Sequence, residues 1–249
     1  MKPEFAEKYY RLEAAHPWSV GRRDIILRML RSAGVHRSDR ILEVGCGSGA
    51  LVEAMEAAGY RDVTGLDMAE AAVGAARSRG LNNIVQADAA ATDFDDGAFD
   101  CIIASDVLEH IMDESKALTE WRRLLRPGGL LFCFVPAFAF LWSEHDVENR
   151  HYRRYSRSML ESCVVEAGYK VERIGYWNGW LFLPMTGMRM IRRVVARQRG
   201  LERKDDFVPL NPLVSRVFNG LFQVENTYLG AGGELPIGVS VFAVLRTPE

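Results

Sequence analysis

From about residue 40 onward, short runs rich in β-branched residues alternate with longer stretches whose apolar residues recur every three or four positions. The runs predict strands at Arg40–Val44, Asp62–Asp67, Asn83–Ala87, Phe99–Ser105, Gly129–Val135, Tyr169–Tyr176 and Val239–Arg246. Helical spacing lies between the first five, at Leu51–Ala58, Ala69–Arg79 and Glu114–Leu125. The last of these stops before Arg126-Pro127-Gly128-Gly129, where proline and glycine oppose continuation. Alternation of this kind predicts an α/β fold, a mostly parallel sheet with helices on both faces.

Two segments fall outside the alternation. Residues Pro3–Ala33 read as a helical cap, with Ile25, Ile26, Met29, Leu30 and Ala33 on one side. The excursion Trp177–Gly238, with helices expected at Thr186–Gln198 and Pro212–Leu229, is too long for a plain connection and reads as a lid. The organisation is therefore one domain, 1–249, divided into a cap (1–35), a core (36–176), a lid insertion (177–235) and a last strand (236–249).

Composition agrees with a globular chain: of 249 residues, 48% are hydrophobic and 26% charged. The net charge of −2 gives no electrostatic case for nucleic acid, but it conceals an asymmetry. Arg150 to Lys204 carry a balance of +9, and the remainder −11. Cys46, Cys101, Cys133 and Cys163 are too far apart for a CxxC pattern and read as reduced thiols of a cytoplasmic protein. The charged amino terminus does not read as a signal peptide, and the longest uncharged stretch, Ile174–Met188, is too short and too broken to span a bilayer.

The most informative stretch is Ile41-Leu42-Glu43-Val44-Gly45-Cys46-Gly47-Ser48-Gly49, a strand entering a glycine-rich turn that opens a helix. Such a turn brings bare backbone and helix N–H groups toward a ligand. Alone it also satisfies a loose dinucleotide fingerprint, which leaves an NAD-dependent oxidoreductase open. Further motifs follow in order: Asp67 at the end of the second strand, Asp88 in Gln86-Ala87-Asp88-Ala89, Ala98-Phe99-Asp100-Cys101-Ile102-Ile103, Ser105-Asp106-Val107-Leu108-Glu109-His110-Ile111, and Leu124-Leu125-Arg126-Pro127-Gly128-Gly129. Together they closely resemble the class I S-adenosylmethionine-dependent methyltransferases, particularly the bacterial type 11 group, over residues 38–136.

The resemblance implies a Rossmann-like seven-stranded sheet with an antiparallel last strand. It also implies S-adenosylmethionine as cofactor, with S-adenosylhomocysteine as product. Gly45, Cys46, Gly47 and Gly49 would wrap the methionine and ribose, with Glu43 supporting the loop. Asp67 would accept the ribose hydroxyls, Met68 would pack on adenine, Asp88 and the Ala89 amide would read the adenine edge, and Ser105 and Asp106 would border the methionine. Asp67 and Asp88 also suit helix caps. His16-Pro17-Trp18-Ser19-Val20-Gly21-Arg22-Arg23 resembles a covering segment in which Trp18 excludes water and Arg22 or Arg23 pairs with the methionine carboxylate. Glu109-His110 reads as a packing pair.

On the acceptor side, the connection after the fifth strand holds Phe138, Phe140, Trp142, His145, Asp146, His151, Arg153, Arg154 and Tyr155. Aromatic and proton-transfer groups beyond a strand's carboxyl end suit a substrate site. His145 and His151 are the candidate bases, Asp146 an orienting partner, Tyr155 a positioning group, and Arg153 and Arg154 contacts for an acidic substrate. The reading is methyl transfer to a small-molecule, glycan or lipid-linked acceptor, with a hydroxyl preferred over an amine. No metal is implied by the ligand spacing. A non-catalytic subunit of the same fold is the remaining alternative.

The Thr186–Gln198 helix, with Met188, Met190, Ile191, Val194 and Val195 opposite Arg189, Arg192, Arg193 and Arg197, reads in two ways. It is either a lid over the acceptor pocket or a dimer partner, or a peripheral membrane contact through 177–199 at the inner face. The chain reads as a monomer or homodimer.

Overall fold

The computed structural model describes residues 15–199 and 211–249, with backbone alone over 191–199. Seven strands, β1 (Arg40–Val44), β2 (Asp62–Asp67), β3 (Ile84–Gln86), β4 (Phe99–Ser105), β5 (Leu125–Pro136), β6 (Lys170–Trp177) and β7 (Ser240–Arg246), form one sheet in the order β3-β2-β1-β4-β5-β7-β6. All pairings are parallel except those of β7, which runs antiparallel to both β5 and β6. The expected strands and the reversed last strand are all present. The expected Pro3–Ala33 helix appears as α1 (Pro17–Ser32), and its earlier residues lie outside the described ones.

Alternate side chains of each strand enter opposite layers, as a pleated strand requires. Ile41, Cys101, Ile103, Phe132, Phe134 and Phe242 join one core with Ile25 and Met29 of α1, with α2 (Ala50–Ala57) and with α3 (Glu70–Ser78). Leu42, Ile102, Leu131, Cys133 and Ala243 join the other with α4 (Glu114–Leu124) and α6 (Arg157–Glu166). Two helices have no counterpart among the expected elements: α6 and the short α5 (Glu144–Glu148). Ser156 caps α6 by accepting from the Met159 amide at 3.1 Å, and Leu160 and Val164, one turn apart, bury its inner face.

The excursion after β6 forms α7 (Phe182–Arg199) and α8 (Pro212–Gly230). α7 begins four residues before the expected start and takes Pro184 into its first turn, where a missing N–H leaves no helical bond unmade. α8 lies along α1. A Cβ on Gly21 would fall 2.6 Å from Cγ of Phe222, and Asn226 Nδ2 donates to the Gly21 carbonyl at 2.8 Å and to Asp24 at 2.9 Å. The Trp177 indole donates to Asn226 Oδ1 at 2.8 Å, tying the end of β6 to the same contact. Among the described residues, no helix is long and apolar enough to cross a membrane.

Candidate active site

The strand order reverses direction between β1 and β4, and α/β sheets open a crevice beyond the strand ends at that point. Here it is a cleft of about 710 Å³, bounded by α1, the glycine turn, the ends of β4 and β5, the 145–154 connection, α7 and α8. Trp18, Arg22, Glu43, Gly45, Cys46, Gly47, Ser105, Asp106, His145 and His151 line it.

The glycine turn is held open by its own backbone. Cys46 N–H donates to the Leu66 carbonyl at 2.9 Å, and Gly47 N–H donates to Asp67 Oδ2 at 2.9 Å. Gly45 has φ +68°, and a Cβ there would strike Val107 at 2.5 Å. At Gly47, φ is +53° and an added Cβ would meet no atom within 4 Å, so this backbone faces open space. Beneath the turn, Glu43 is buried. Burial pushes its carboxyl up well above the usual range despite the Val52 amide, and Oε2 has no hydrogen-bond partner.

Gly49, which caps α2 after β1, lies outside the cleft lining, as do Asp67, Met68, Asp88 and Ala89 along the ends of β2 and β3 and their turns. Asp67 also accepts from the Ala69 amide at 2.8 Å, and Asp88 accepts from Ala90 N–H at 2.9 Å. Both carboxylates therefore carry the turn bonds that a cap would make. Each retains acceptor capacity, since a carboxylate offers about four lone-pair sites. Met68 is 69% exposed, leaving an uncovered apolar surface beside Asp67.

Arg22 is 5% exposed and threads between aromatic rings, its guanidinium carbon 4.2 Å from the Trp177 ring centre and 4.6 Å from that of Phe134. One terminal nitrogen donates to Asp106 at 3.1 Å and to the Ser240 hydroxyl at 2.9 Å; Nε and the other have no partner. Asp106, at the carboxyl end of β4, is a non-glycine residue at φ +57°. Trp18 packs edge-on against Trp177 at 5.0 Å.

The other half of the cleft contains His110, His145 and His151. The rings of His110 and His151 are 4.5 Å apart and perpendicular, and those of His145 and His151 are 6.0 Å apart. Asp146 is fully buried behind them. It closes a capping box with Ser143 at the start of α5, accepts from His151 Nδ1 at 2.9 Å, and receives Arg154 Nε and Nη2 at 2.7 and 3.0 Å. Burial raises its carboxyl, but the bonds from His151 and Arg154 outweigh that and hold it well below the ordinary carboxylate range. With Nδ1 committed to Asp146, Nε2 is the nitrogen of His151 left for the cleft. Burial, then the neighbouring His151, lowers the pKa of His110.

Three sequence-level expectations meet a different geometry. Tyr155 is buried in the opposite core, where its hydroxyl donates to Glu114 at 2.5 Å, because the backbone bridge between Ala137 and Tyr155 turns consecutive side chains to opposite sides. Arg153 is spent on Glu114 and on the Met112 carbonyl, and Arg154 on Asp146. On α7 the expected wheel is rotated: Arg189 is buried, with its guanidinium on the Leu141 carbonyl, while Met190 is 61% exposed. The face on the cleft is Leu181, Pro184, Met185, Met188 and Arg189, at i, i+3, i+4, i+7 and i+8.

Glu109 and His110, expected as a packing pair, belong to the cleft. Glu109 is 1% exposed with neither carboxylate oxygen hydrogen-bonded, and burial followed by Asp106 pushes its carboxyl well above the usual range. One ligating atom each of Glu109, His110 and His151 lies within 4.8 Å of the others. The adjacency of an acid and a histidine directly after the β4 motif was the available signal. Its partner His151 is 41 positions away along the chain.

A family model described as "Methyltransferase domain" matches residues 42–133. A ubiquinone biosynthesis O-methyltransferase from Xanthomonas oryzae pv. oryzae is 37% identical over 123 residues, covering 47% of this chain and 49% of that protein. The protein of the same name from Bordetella avium is 37% identical over 106 residues, 40% of this chain and 44% of its own. The chain thus spans about half the length of the curated relatives it matches.

Among solved structures, a putative methyltransferase from Bacillus halodurans superposes with a TM-score of 0.60 at 18% identity, covering 90% of this chain and 99% of that one. A possible histamine N-methyltransferase from Thermotoga maritima gives 0.59 at 16% identity over 98% and 97%. Phosphoethanolamine N-methyltransferase 2 from Haemonchus contortus, in complex with S-adenosyl-L-methionine, gives 0.57 at 16% over 90% and 52%.

Proposed function

We propose that this chain, which matches the methyltransferase-domain model over residues 42–133, acts as a class I S-adenosylmethionine-dependent methyltransferase and transfers a methyl group to a hydroxyl oxygen of a small acceptor held among His110, His145 and His151. The observation that carries this reading is the Asp146–His151 pair, a buried carboxylate that fixes one ring nitrogen of a histidine and leaves the other to the cleft. A hydroxyl must lose its proton as the C–O bond forms, and an imidazole nitrogen held toward it is positioned to accept that proton. The name of the O-methyltransferase relatives supports oxygen as the receiving atom.

The residues present fit the cofactor. The bare Gly47 backbone and the unpartnered Nε and Nη1 of Arg22 flank one end of the cleft, and Asp67 and Met68 follow along the adjoining strand end. We assign Gly45, Cys46, Gly47 and Gly49 to the backbone wrap, with Glu43 as its support. Arg22 takes the carboxylate, Trp18 covers the cleft, and Ser105 and Asp106 border the amino-acid end. Asp67 takes the ribose diol, Met68 one adenine face, and Asp88 with the Ala89 amide the adenine edge. When bound, S-adenosylmethionine supplies an electrophilic methyl on a sulfonium.

The protein's own contribution is alignment and proton removal. Trp18 and the apolar face of α7 exclude water, His151 and His145 receive the proton, and the histidines place the oxygen in line; such alignment accounts for much of the rate in displacement reactions. Glycan and lipid-linked acceptors fall within this proposal, and exposed Leu183 (77%) and Met190 on α7 support a peripheral membrane contact through 177–199. Flotation with anionic vesicles tests that contact, with no co-flotation overturning it. For the activity, the purified chain is incubated with labelled S-adenosylmethionine and a panel of hydroxyl and amine acceptors. Methylated hydroxyl products are expected, and products of amines alone would overturn the assignment of oxygen.

A further inference from the structure

We propose that two copies of the chain pair through the exposed face of α8 as a two-fold dimer, with Leu221 at the centre of the interface. One side of this helix is already used: Phe218, Phe222, Asn226 and Leu229 face α1, Trp177 and the cleft. The exposed side carries Val214, Val217, Leu221, Val224 and Tyr228. Their steps of three, four, three and four are the spacing of a seam between two helices, not of a helix that ends in water. All five are between 40% and 73% exposed, and exposed Leu213 lies beside them.

The area is that of an interface. The seam and Leu213 present on the order of 600 Å² in one copy, at the upper end of the apolar patches that a monomer leaves in water. Two copies together would bury about 1,200 Å², the lower end for a specific and stable association.

The face also suits its own copy. Leu221 stands midway, seven residues from Val214 and seven from Tyr228, so it meets its counterpart whichever way the two helices run. Next to it, a Cβ on Gly220 would meet no atom within 4 Å, which leaves a hollow for the partner's leucine. Glycine weakens a helix interior, and close approach of a second backbone is a use that offsets the weakness.

Charge favours a second copy over a lipid surface. Among the exposed positions of α8, Arg216 is the single charged residue and sits at the edge of the face, followed along that edge by Gln223 and Thr227. Two such faces meet without like-charge repulsion across the seam, whereas a helix that docks on anionic lipid carries several Lys or Arg on its polar side.

Sedimentation velocity of the full chain from roughly 1 to 200 µM reads the equilibrium, and a micromolar Kd is expected for an interface of this size. Leu221→Glu and Val224→Lys, both at exposed positions, should each raise Kd by about tenfold or more. Circular dichroism and a cooperative thermal transition show that each variant is folded. As an independent measure, Leu221→Cys should give a disulfide-linked dimer under mild oxidation that the wild type, with its four native cysteines, does not form. A wild type that stays monomeric throughout, or folded variants that dimerise as the wild type does, overturns the proposal. So does a monomeric wild type that floats with phosphatidylethanolamine–phosphatidylglycerol vesicles while both variants do not, which gives the face to a lipid surface.

Discussion

His151 Nδ1 donates to Asp146 at 2.9 Å, and the same carboxylate takes the Arg154 guanidinium through two bonds, so one buried anion sets the position of two cleft residues. Asp146→Asn keeps the shape but replaces one acceptor oxygen with a donor and removes the charge. The His151 tautomer is then no longer dictated, and Arg154 is left buried with half its partner. We expect kcat to fall about 100-fold or more, the scale of a lost general base. Stability should drop by about 3 kcal/mol, the scale of a broken buried pair. S-adenosylhomocysteine affinity, measured by calorimetry, should change less than threefold (roughly 0.6 kcal/mol, since tenfold is about 1.4), because Asp146 lies on the acceptor side.

Arg22 offers a sharper division between the two ends of the cofactor. Its Nε and Nη1 are buried without partners, and a carboxylate there would add charge-assisted bonds worth about 1.5–3 kcal/mol. Arg22→Met should therefore weaken S-adenosylhomocysteine by about 10- to 100-fold. Methylthioadenosine, which lacks the amino-acid end, should bind wild type and variant alike. Equal weakening of both ligands would mean that the substitution had disturbed the cleft as a whole.

How far the sequence discloses this molecule follows from which features are local. Each strand is a short run whose alternate residues enter the two cores, and that period is visible in Ile41-Leu42 or Cys101-Ile102 without any knowledge of the fold. α6 escaped because Cys163, Val164 and Val165 look like strand, and its helical evidence reduces to the Ser156 cap and two buried residues. The cofactor side is built from turns that directly follow strands, so order and spacing reveal it. The acceptor side gathers residues 109–110, 145–154, 181–189 and 218, and nothing along the chain says that Glu109 faces His151 or that Tyr155 turns away.

The contact between α1 and α8 makes a prediction about packing alone. With Phe222 2% exposed and its ring 2.6 Å from where a Cβ of Gly21 would sit, Gly21→Ala must displace the ring that stacks on Trp177 at 5.2 Å. Overpacking of this kind costs about 1–3 kcal/mol. Phe222→Leu removes the clash at some cost of its own, so the double variant should lose less stability than the two single losses added together. Urea denaturation of the four proteins reads that non-additivity.

Acid stability isolates a pair remote from the cleft. Glu120 accepts Arg123 Nε and Nη2 at 2.9 and 2.8 Å and the Thr92 amide and hydroxyl at 2.9 and 2.7 Å. The Arg123 bonds, against the cost of burial and aided by Thr92, lower its pKa to about 2. In the unfolded chain a glutamate titrates near about 4.3. Below that pH the unfolded state takes up a proton that the folded carboxylate refuses, so the contribution is complete above the unfolded value and is lost as pH falls through the folded one. Glu120→Gln should therefore cost about 2 kcal/mol at pH 7, the scale of hydrogen bonds to a charged group. The gap between wild type and variant should narrow steadily from about pH 4 and close near pH 2, as followed by urea midpoints across that range. A gap that stays constant with pH would trace the loss to side-chain shape and not to charge.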